Sequence, residues 1–267
     1  MKRRELLLAA SGAAGAASLS SVAAADEKNA VTKPEYYELR KYQLLNRSKQ
    51  GQFNDFFSRA AIPAMSRIGI GPVGVFSVVY GPNIPTLTYY VLLPHKSLES
   101  FASANASLTA DPVYQKAGAD FLNAPYSDPA YVRMESSLMK AFDRMPRLEL
   151  PVASKENKPR IFELRTYESH SLKAGKKKIE MFNEGGEIEI FRNTGLQPVF
   201  FGETLIGPQM PNLTYMLCFD NMTARDKNWE TFVGSSEWQK LSVDPLYKDT
   251  VSNITDIILR SADYSQI

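Results

Sequence analysis

A pentapeptide with three chemically capable side chains occurs twice in the chain. Glu38-Leu39-Arg40-Lys41-Tyr42 returns as Glu163-Leu164-Arg165-Thr166-Tyr167, with four of five residues identical at an offset of 125. Along an extended strand, alternation puts Glu38, Arg40 and Tyr42 on one face, and Glu163, Arg165 and Tyr167 on the corresponding face of the second copy. A guanidinium placed this way either pairs with the carboxylate two residues away or offers its bidentate fork to an anionic ligand. These six residues are therefore candidate ligand-binding residues, with a structural ion pair capped by tyrosine as the alternative. Leu39 and Leu164 suit the face beneath helices, which would aim the polar trios into the space between two sheets.

The remaining residues give no catalytic signature, and no catalytic residue is nominated. The two histidines, His95 and His170, read as loop or strand-end residues, and the position matching His95 in the second copy is Asn221. There is no His-Glu-x-x-His, no carboxylate cluster at ligand spacing and no Cys-His set, so no metal is expected. No Gly-x-Ser-x-Gly elbow, phosphate-binding Gly-Lys-Ser/Thr loop or Gly-x-Gly-x-x-Gly fingerprint is present, and no cofactor is expected. Cys218, the single cysteine, lies in the apolar stretch Tyr215 to Phe219 and reads as a small buried hydrophobe. With one cysteine, no intramolecular disulfide can support the fold.

The amino terminus is a separate matter. Lys2, Arg3 and Arg4 precede an uncharged run from Leu6 to Ala25 containing nine alanines and four serines. That run is long enough to span a bilayer but too weakly apolar. A charged start, a modest apolar middle and Ala23-Ala24-Ala25 before Asp26 read as an export signal occupying residues 1–25. The Arg3-Arg4 pair resembles a twin-arginine signal, with Sec export as the alternative. Its removal takes three of the 31 basic and one of the 29 acidic residues, leaving 28 of each. A near-neutral mature chain lacks the basic footprint of a nucleic-acid binder. The expectation is a periplasmic or extracellular protein with no stable membrane insertion once the signal is gone.

The elements that must position the repeated pentapeptide are themselves repeated. Gly81-Pro82-Asn83-Ile84-Pro85-Thr86-Leu87-Thr88-Tyr89 returns as Gly207-Pro208-Gln209-Met210-Pro211-Asn212-Leu213-Thr214-Tyr215, and Tyr114-Gln115-Lys116 matches Trp238-Gln239-Lys240. Three blocks in one order at a nearly constant offset mark a duplication, with a period too long for a solenoid. Prolines 146, 151 and 159 mark the linker, giving repeats over residues 36–150 and 160–262. Each repeat reads as βαββαβ. Strands are expected at Tyr36 to Leu44, Val73 to Tyr80 and Leu87 to Leu93, with a closing strand between Tyr131 and Met139. Their counterparts are Ile161 to Tyr167, Val199 to Ile206, Leu213 to Phe219 and Val251 to Leu259. Pro63 is expected to end or kink the first helix, and Gly69 and Gly195 suit helix C-termini. This is a ferredoxin-like α+β unit. Its helices cover one sheet face and leave the other in need of a partner. Two copies packed sheet to sheet predict a single-chain, pseudo-symmetric α/β barrel.

The repeated Glu-Leu-Arg-x-Tyr strand and Gly-Pro-x-x-Pro-x-Leu-Thr-Tyr hairpin, with Asn193 to Val199 and Glu237 to Lys240, resemble the NIPSNAP family over residues from about Tyr36 to Arg260. The resemblance implies a dimeric α/β barrel of ferredoxin-like units and implies no established reaction. The leading functional expectation is a small-molecule-binding or structural module with a pocket between the two repeats. The alternative is a monooxygenase-like oxidoreductase on the same barrel type, by fold analogy. Ligand identity and self-association are left open.

Overall fold

Both repeats lay down the same order of elements. The structure is a computed structural model that describes residues 33–85, 87–156 and 158–267. The export signal expected at residues 1–25 lies outside the described residues.

In the first repeat, β1 (Tyr36–Gln43) leads into a long helical segment: α1 (Ser48–Phe56), a π-helical stretch (Phe57–Ala61) and α2 (Ile62–Arg67). β2 (Gly74–Tyr80) and β3 (Thr88–His95) form a hairpin. Then come α3 (Leu98–Thr109), α4 (Pro112–Ala117), α5 (Ala119–Leu122) and β4 (Arg133–Ala141). A linker containing the short α6 (Val152–Lys155) precedes β5 (Ile161–Glu168), α7 (Leu172–Asn183), α8 (Glu187–Asn193), β6 (Gln197–Ile206) and β7 (Asn212–Phe219). α9 (Met222–Gly234), α10 (Ser236–Ser242) and β8 (Asn253–Ser261) complete the second repeat.

Local chemistry explains the boundaries. Ser97, Asp111, Ser171, Asn221 and Ser235 each accept a backbone N–H at a helix N-terminus, satisfying donors that the helix itself cannot. Gly69 and Gly195 take positive φ values of 77° and 85° just beyond helix ends, as a left-handed helix stop requires. Pro63 does not end its helix, which continues to Arg67. It follows directly on the π-helical stretch, where the backbone has already left the α-helical hydrogen-bond register that a proline would break.

The strands close into one barrel in the order β1-β3-β2-β8-β5-β7-β6-β4. Within it, β4-β1-β3-β2 and β8-β5-β7-β6 are the two ferredoxin-like sheets, and all pairings are antiparallel. The sheets join edge to edge, β2 with β8 and β4 with β6, each seam carrying a register shift. Closure leaves no free sheet edge in the barrel. Residues Pro34–Ile267 form one compact unit, so the repeats share a body.

Three apolar clusters follow from this architecture. The first lies between the helices and sheet of repeat one and includes Tyr42, Phe53, Phe57, Tyr89 and Phe121. The second lies in the equivalent layer of repeat two and includes Tyr167, Phe182, Phe191, Phe201 and Tyr215. The third draws on both repeats, with Tyr37, Leu39, Phe76, Phe162, Leu164, Phe200 and Leu259, and fills the barrel.

That partition reverses the expected facing of the first strands. Leu39 and Leu164 point into the barrel, and Glu38, Arg40, Tyr42, Glu163, Arg165 and Tyr167 lie on the outer face beneath the helices. The reason is that both faces of these sheets are buried. Alternation separates two faces without saying which is inner, and the layer under the helices accepts polar groups because neighbouring side chains there satisfy them.

Candidate functional site

The interior of the barrel changes character along its axis. At one end, Tyr37, Phe76, Phe162, Phe200 and Ile267 fill it, all fully buried. At the other end, where both hairpins turn, a cavity of about 580 Å³ remains. It is lined by both repeats: Leu39, Lys41, Tyr90, Glu135, Ser137 and Met139 from one, and Leu164, Thr166, Thr204, Asn212, Thr214, Thr255 and Ile257 from the other, with hairpin residues at the rim.

The hairpins shape this mouth. Asn83 and Gln209 occupy matching turn positions with φ of 54° and 58°. A Cβ on Gly81 would lie 2.8 Å from the Ile84 side chain and 3.3 Å from Ile257. On Gly207 it would lie 2.8 Å from Ser137 Oγ. The repeated Gly-Pro therefore serves a close approach between each hairpin and the other repeat's strands, as at other sites where only glycine fits.

Two pseudo-equivalent rows of side chains face each other across the cavity. In repeat one, Lys41 stands directly across from Tyr90 on β3 and Glu135 on β4. Lys41 Nζ lies 3.5 Å from Glu135 Oε2. Burial, with the Glu135 charge adding to it, raises the Tyr90 hydroxyl pKa well above its ordinary value. In repeat two the same row is Thr166 between Thr214 on β7 and Thr255 on β8, and the Thr166 and Thr214 hydroxyls are 3.0 Å apart. At the mouth, the Asn212 carbonyl oxygen accepts from Thr204 Oγ1 at 2.6 Å, while its amide donates to Pro208 O and Gln209 O. Hydroxyl and amide groups thus crown an apolar floor of Leu39, Leu164, Met139 and Ile257.

The six residues expected at the site lie behind these walls, under the helices. Glu38 accepts two hydrogen bonds from Arg40, at 2.7 and 2.9 Å, and one from Ser136 at 2.8 Å. Burial works to raise its pKa, but the hydrogen bonds and charge of Arg40 and the Ser136 hydroxyl, with the His95 ring 3.6 Å away, outweigh burial and bring it down from 4.5 to about 2. Tyr42 completes the trio and is raised by burial. In repeat two, Glu163 is fully buried. It accepts from Arg165 at 2.8 Å, from Arg225 at 2.6 and 3.1 Å, and from the Trp229 indole at 2.7 Å. Arg165 sits 4.7 Å above the Trp229 ring and 5.6 Å from that of Tyr167, and Tyr215 donates to the Tyr167 hydroxyl at 2.9 Å. Beside them, Lys178 pairs with Glu187 at 2.7 Å, both almost fully buried. Burial raises the Glu187 pKa against the pull of Lys178. The contacts of both trios are those of ion pairs locked under helices.

The other sequence candidates are placed as follows. His95 is buried, not exposed: its Nδ1 is 3.4 Å from Ser100 Oγ and its Nε2 is 3.6 Å from Glu38 Oε2, the latter too far for a hydrogen bond. The end of β3 is covered by α3, which loop reasoning did not anticipate. His170 borders a shallow surface depression beside α7. Neither histidine lines the barrel cavity. Cys218 is buried inside the barrel, where burial pushes its thiol up to about 12. Among the described residues, no group of three or more His, Cys, Asp or Glu side chains could hold a metal ion, and no helix is long and apolar enough to cross a membrane.

Sequence reasoning missed the cavity row itself. A signal existed: Lys41 and Thr166 are the one mismatch in the repeated pentapeptide, and they occupy matching places in the two walls. Once Leu39 and Leu164 are known to face inward, that mismatch points at the site.

The fold is that of the dimeric α/β barrels, here contained in one chain. The NIPSNAP family profile matches residues 37–144 and 162–266, and the chain belongs to the NIPSNAP family, with two tandem copies of its domain. No curated protein matches the chain. Among solved structures, a putative monooxygenase from Lactobacillus acidophilus aligns with a TM-score of 0.54 at 7% identity, covering 86% of this chain and 94% of that one. A putative monooxygenase from Fusobacterium nucleatum aligns with a TM-score of 0.53 at 8% identity, covering 86% and 93%. A NIPSNAP-like domain protein from Burkholderia xenovorans is 19% identical over 38% of this chain and 83% of its own, with a TM-score of 0.34.

Proposed function

We propose that this protein binds a small molecule in the cavity between its two repeats. The observation that carries this reading is the contrast within one barrel: aromatic side chains fill one end, while about 580 Å³ stays open at the other. A ligand site is typically a concave pocket with an apolar body and a few converging polar groups, and the apolar floor under hydroxyl, amide and ionic walls has that form. A purely structural barrel would be expected to close its interior with side chains at both ends, as small barrels do.

The monooxygenase alternative is carried by the names of structures that share only the fold, and function does not follow from fold. Nothing in the cavity walls favours it over binding. We further propose that residues 1–25 are an export signal, which would deliver the mature protein to the periplasm or outside the cell; the charged start, modest apolar middle and Ala23-Ala24-Ala25 support this reading. The chain supplies both halves of its own barrel, so any homo-oligomer would build on other surfaces. Mass spectrometry of the exported protein should find Asp26 at the amino terminus, and a retained Met1 would remove the export proposal.

The binding reading is tested by thermal shift against a metabolite panel, comparing the natural chain with Thr255→Phe. Thr255 is half-buried on the cavity wall, so a phenyl ring there occupies cavity space at little cost to packing. At least one compound should raise the melting temperature of the natural chain and lose that effect in the variant. A panel with no shift in either protein would leave the barrel as a scaffold.

A further inference from the structure

The two walls of the cavity occupy equivalent places in the two sheets, yet they differ in kind. A symmetric ligand would be served by equivalent walls. Here repeat one presents Tyr90, Lys41 and Glu135, and repeat two presents Thr214, Thr166 and Thr255, at matching positions of their sheets. Resting on the binding reading, we propose that the ligand class is an uncharged, hydroxyl-bearing amphiphile, with its polar head between these two walls and its apolar part on the floor of the cavity.

Three observations favour this class. The first is charge. Among the described lining side chains, Lys41 and Glu135 are the only pair of opposite charge, and they face each other at 3.5 Å. Each neutralises the other, and the wall carries no net charge to compensate a charged ligand. Where the lining is buried, as at Thr214 and Asn212, bringing in an uncompensated ion costs far more than bringing in a neutral hydroxyl. The second is hydrogen-bonding capacity. Threonine hydroxyls each donate once and accept twice. The ladder runs from Thr166 to Thr214 at 3.0 Å and on to Asn212 Oδ1 at 3.5 Å, which commits both protons and leaves lone pairs that accept, so a partner held between this wall and Tyr90 must both donate and accept. Alcohols match that pattern on every group, whereas a carboxylate only accepts and an ammonium only donates. Tyr90 on the opposite wall remains a protonated donor. The third is the floor. Leu39, Leu164, Met139 and Ile257 close the cavity from below with hydrocarbon, which favours an apolar part on the same molecule.

Three octyl-chain probes isolate the head group: octyl glucoside, octanoate and octylammonium, each below its micellar concentration and titrated calorimetrically into the full chain. Octyl glucoside should bind at least about tenfold more tightly than either charged probe. Thr166→Val keeps the shape and strand preference of the residue while deleting its hydroxyl, and should weaken glucoside binding about fivefold, the typical loss for one hydrogen bond. Thr255→Phe should abolish it. Unchanged melting curves would show that the variants fold. Equal or tighter binding of octanoate or octylammonium would overturn the uncharged class and leave the binding reading standing. Glucoside binding that survives Thr255→Phe would place the contact elsewhere and overturn the proposal. If none of the three binds, the class is wrong, and the binding reading falls with it only when the metabolite panel also gives no shift.

Discussion

In repeat one Glu38 is held by a single guanidinium, that of Arg40, together with Ser136. In repeat two the matching Glu163 is held by two, Arg165 and Arg225, and by the Trp229 indole. The surroundings differ correspondingly. Repeat one packs its helix layer with phenylalanines, with Phe56 and Phe121 stacked at 4.0 Å. Repeat two inserts a second buried ion pair, Lys178 with Glu187, against Tyr167, Phe182 and Trp238. The strand registers diverge too. The two hairpin sequences, Gly81 to Tyr89 and Gly207 to Tyr215, align without a gap. With no insertion between them, β3 is nevertheless slid by two residues along β1 relative to β7 on β5, so Tyr89 lies across from Tyr42 whereas its sequence counterpart Tyr215 lies across from Arg165. A slip of two preserves which face each side chain occupies. Duplication has therefore kept the faces of the sheets and freed their layers to diverge, both under the helices and inside the barrel.

The most severe test asks whether either repeat is a structure without the other. Residues 34–151 alone would expose the inner face with Tyr37, Leu39, Phe76, Tyr90 and Leu92, together with the two strand edges that now pair at the seams. Such a surface invites association. Size-exclusion chromatography with light scattering should find a homodimer that rebuilds a symmetric barrel, or an aggregate. A stable, soluble monomer would mean that the shared barrel is not what holds the repeats.

A smaller effect separates the two glutamate sites by pH. The folded-state pKa of Glu38 is lowered to about 2 from 4.5. A depressed carboxyl contributes stability that is present above its unfolded pKa and is lost as pH falls through the folded one. The contribution amounts to about 3 kcal/mol, and it should disappear between about pH 4.5 and about pH 2. Glu187 in repeat two is shifted the other way by burial, so its share of the stability grows on acidification. Urea unfolding at about pH 6 and about pH 3 should therefore show a smaller acid loss for Glu38→Gln than for the natural chain, and a larger one for Glu187→Gln. The same acid loss in all three proteins would erase this distinction between the repeats.

Much of the fold was legible because duplication gave each element two independent votes. The βαββαβ order, the hairpin turns and the helix stops at Gly69 and Gly195 all rest on local chemistry that occurs in both copies. The need to cover a bare sheet face led from there to the barrel. What could not be read was which face was bare. Leu39 and Leu164 look like residues that belong under helices, and Glu-Arg-Tyr looks like a pocket lining. The outcome was decided by tertiary partners distant in sequence: Arg225 and Trp229 for Glu163, Ser136 for Glu38, and the aromatic plug for the barrel. The cavity walls were hidden for the same reason. Tyr90, Glu135, Thr214 and Thr255 join Lys41 and Thr166 only through cross-strand pairing.

The finest comparison concerns Arg40 and Arg165. Resemblance to the family ranks Arg165 higher, because repeat two carries Trp238 where repeat one has Tyr114, and Gln239 to Ile258 spans 19 positions against 23 from Gln115 to Leu138. The contacts rank them the other way for stability. Removing Arg40 takes both guanidinium hydrogen bonds from Glu38 and leaves a buried carboxylate with Ser136 and a histidine nitrogen 3.6 Å away. Removing Arg165 takes one hydrogen bond from Glu163, which keeps Arg225 and Trp229. It also takes the stacking on Trp229 and Tyr167, worth about 1–2 kcal/mol where desolvated. Stranding a buried charge by deleting its partner costs about 3–5 kcal/mol. Methionine approximates the volume of the arginine stem and limits any loss of packing. Arg40→Met should thus destabilise by about 1–2 kcal/mol more than Arg165→Met, the margin left when the stacking loss is set against the stranded charge. Paired urea melts at neutral pH measure that margin, and pairing Arg40→Met with Glu38→Leu should recover most of it, because no charge is then stranded. Equal losses in the two single variants, or no recovery in the double, would mean that Arg225 does not relieve Arg165 and that the two repeats bind their glutamates in the same way after all.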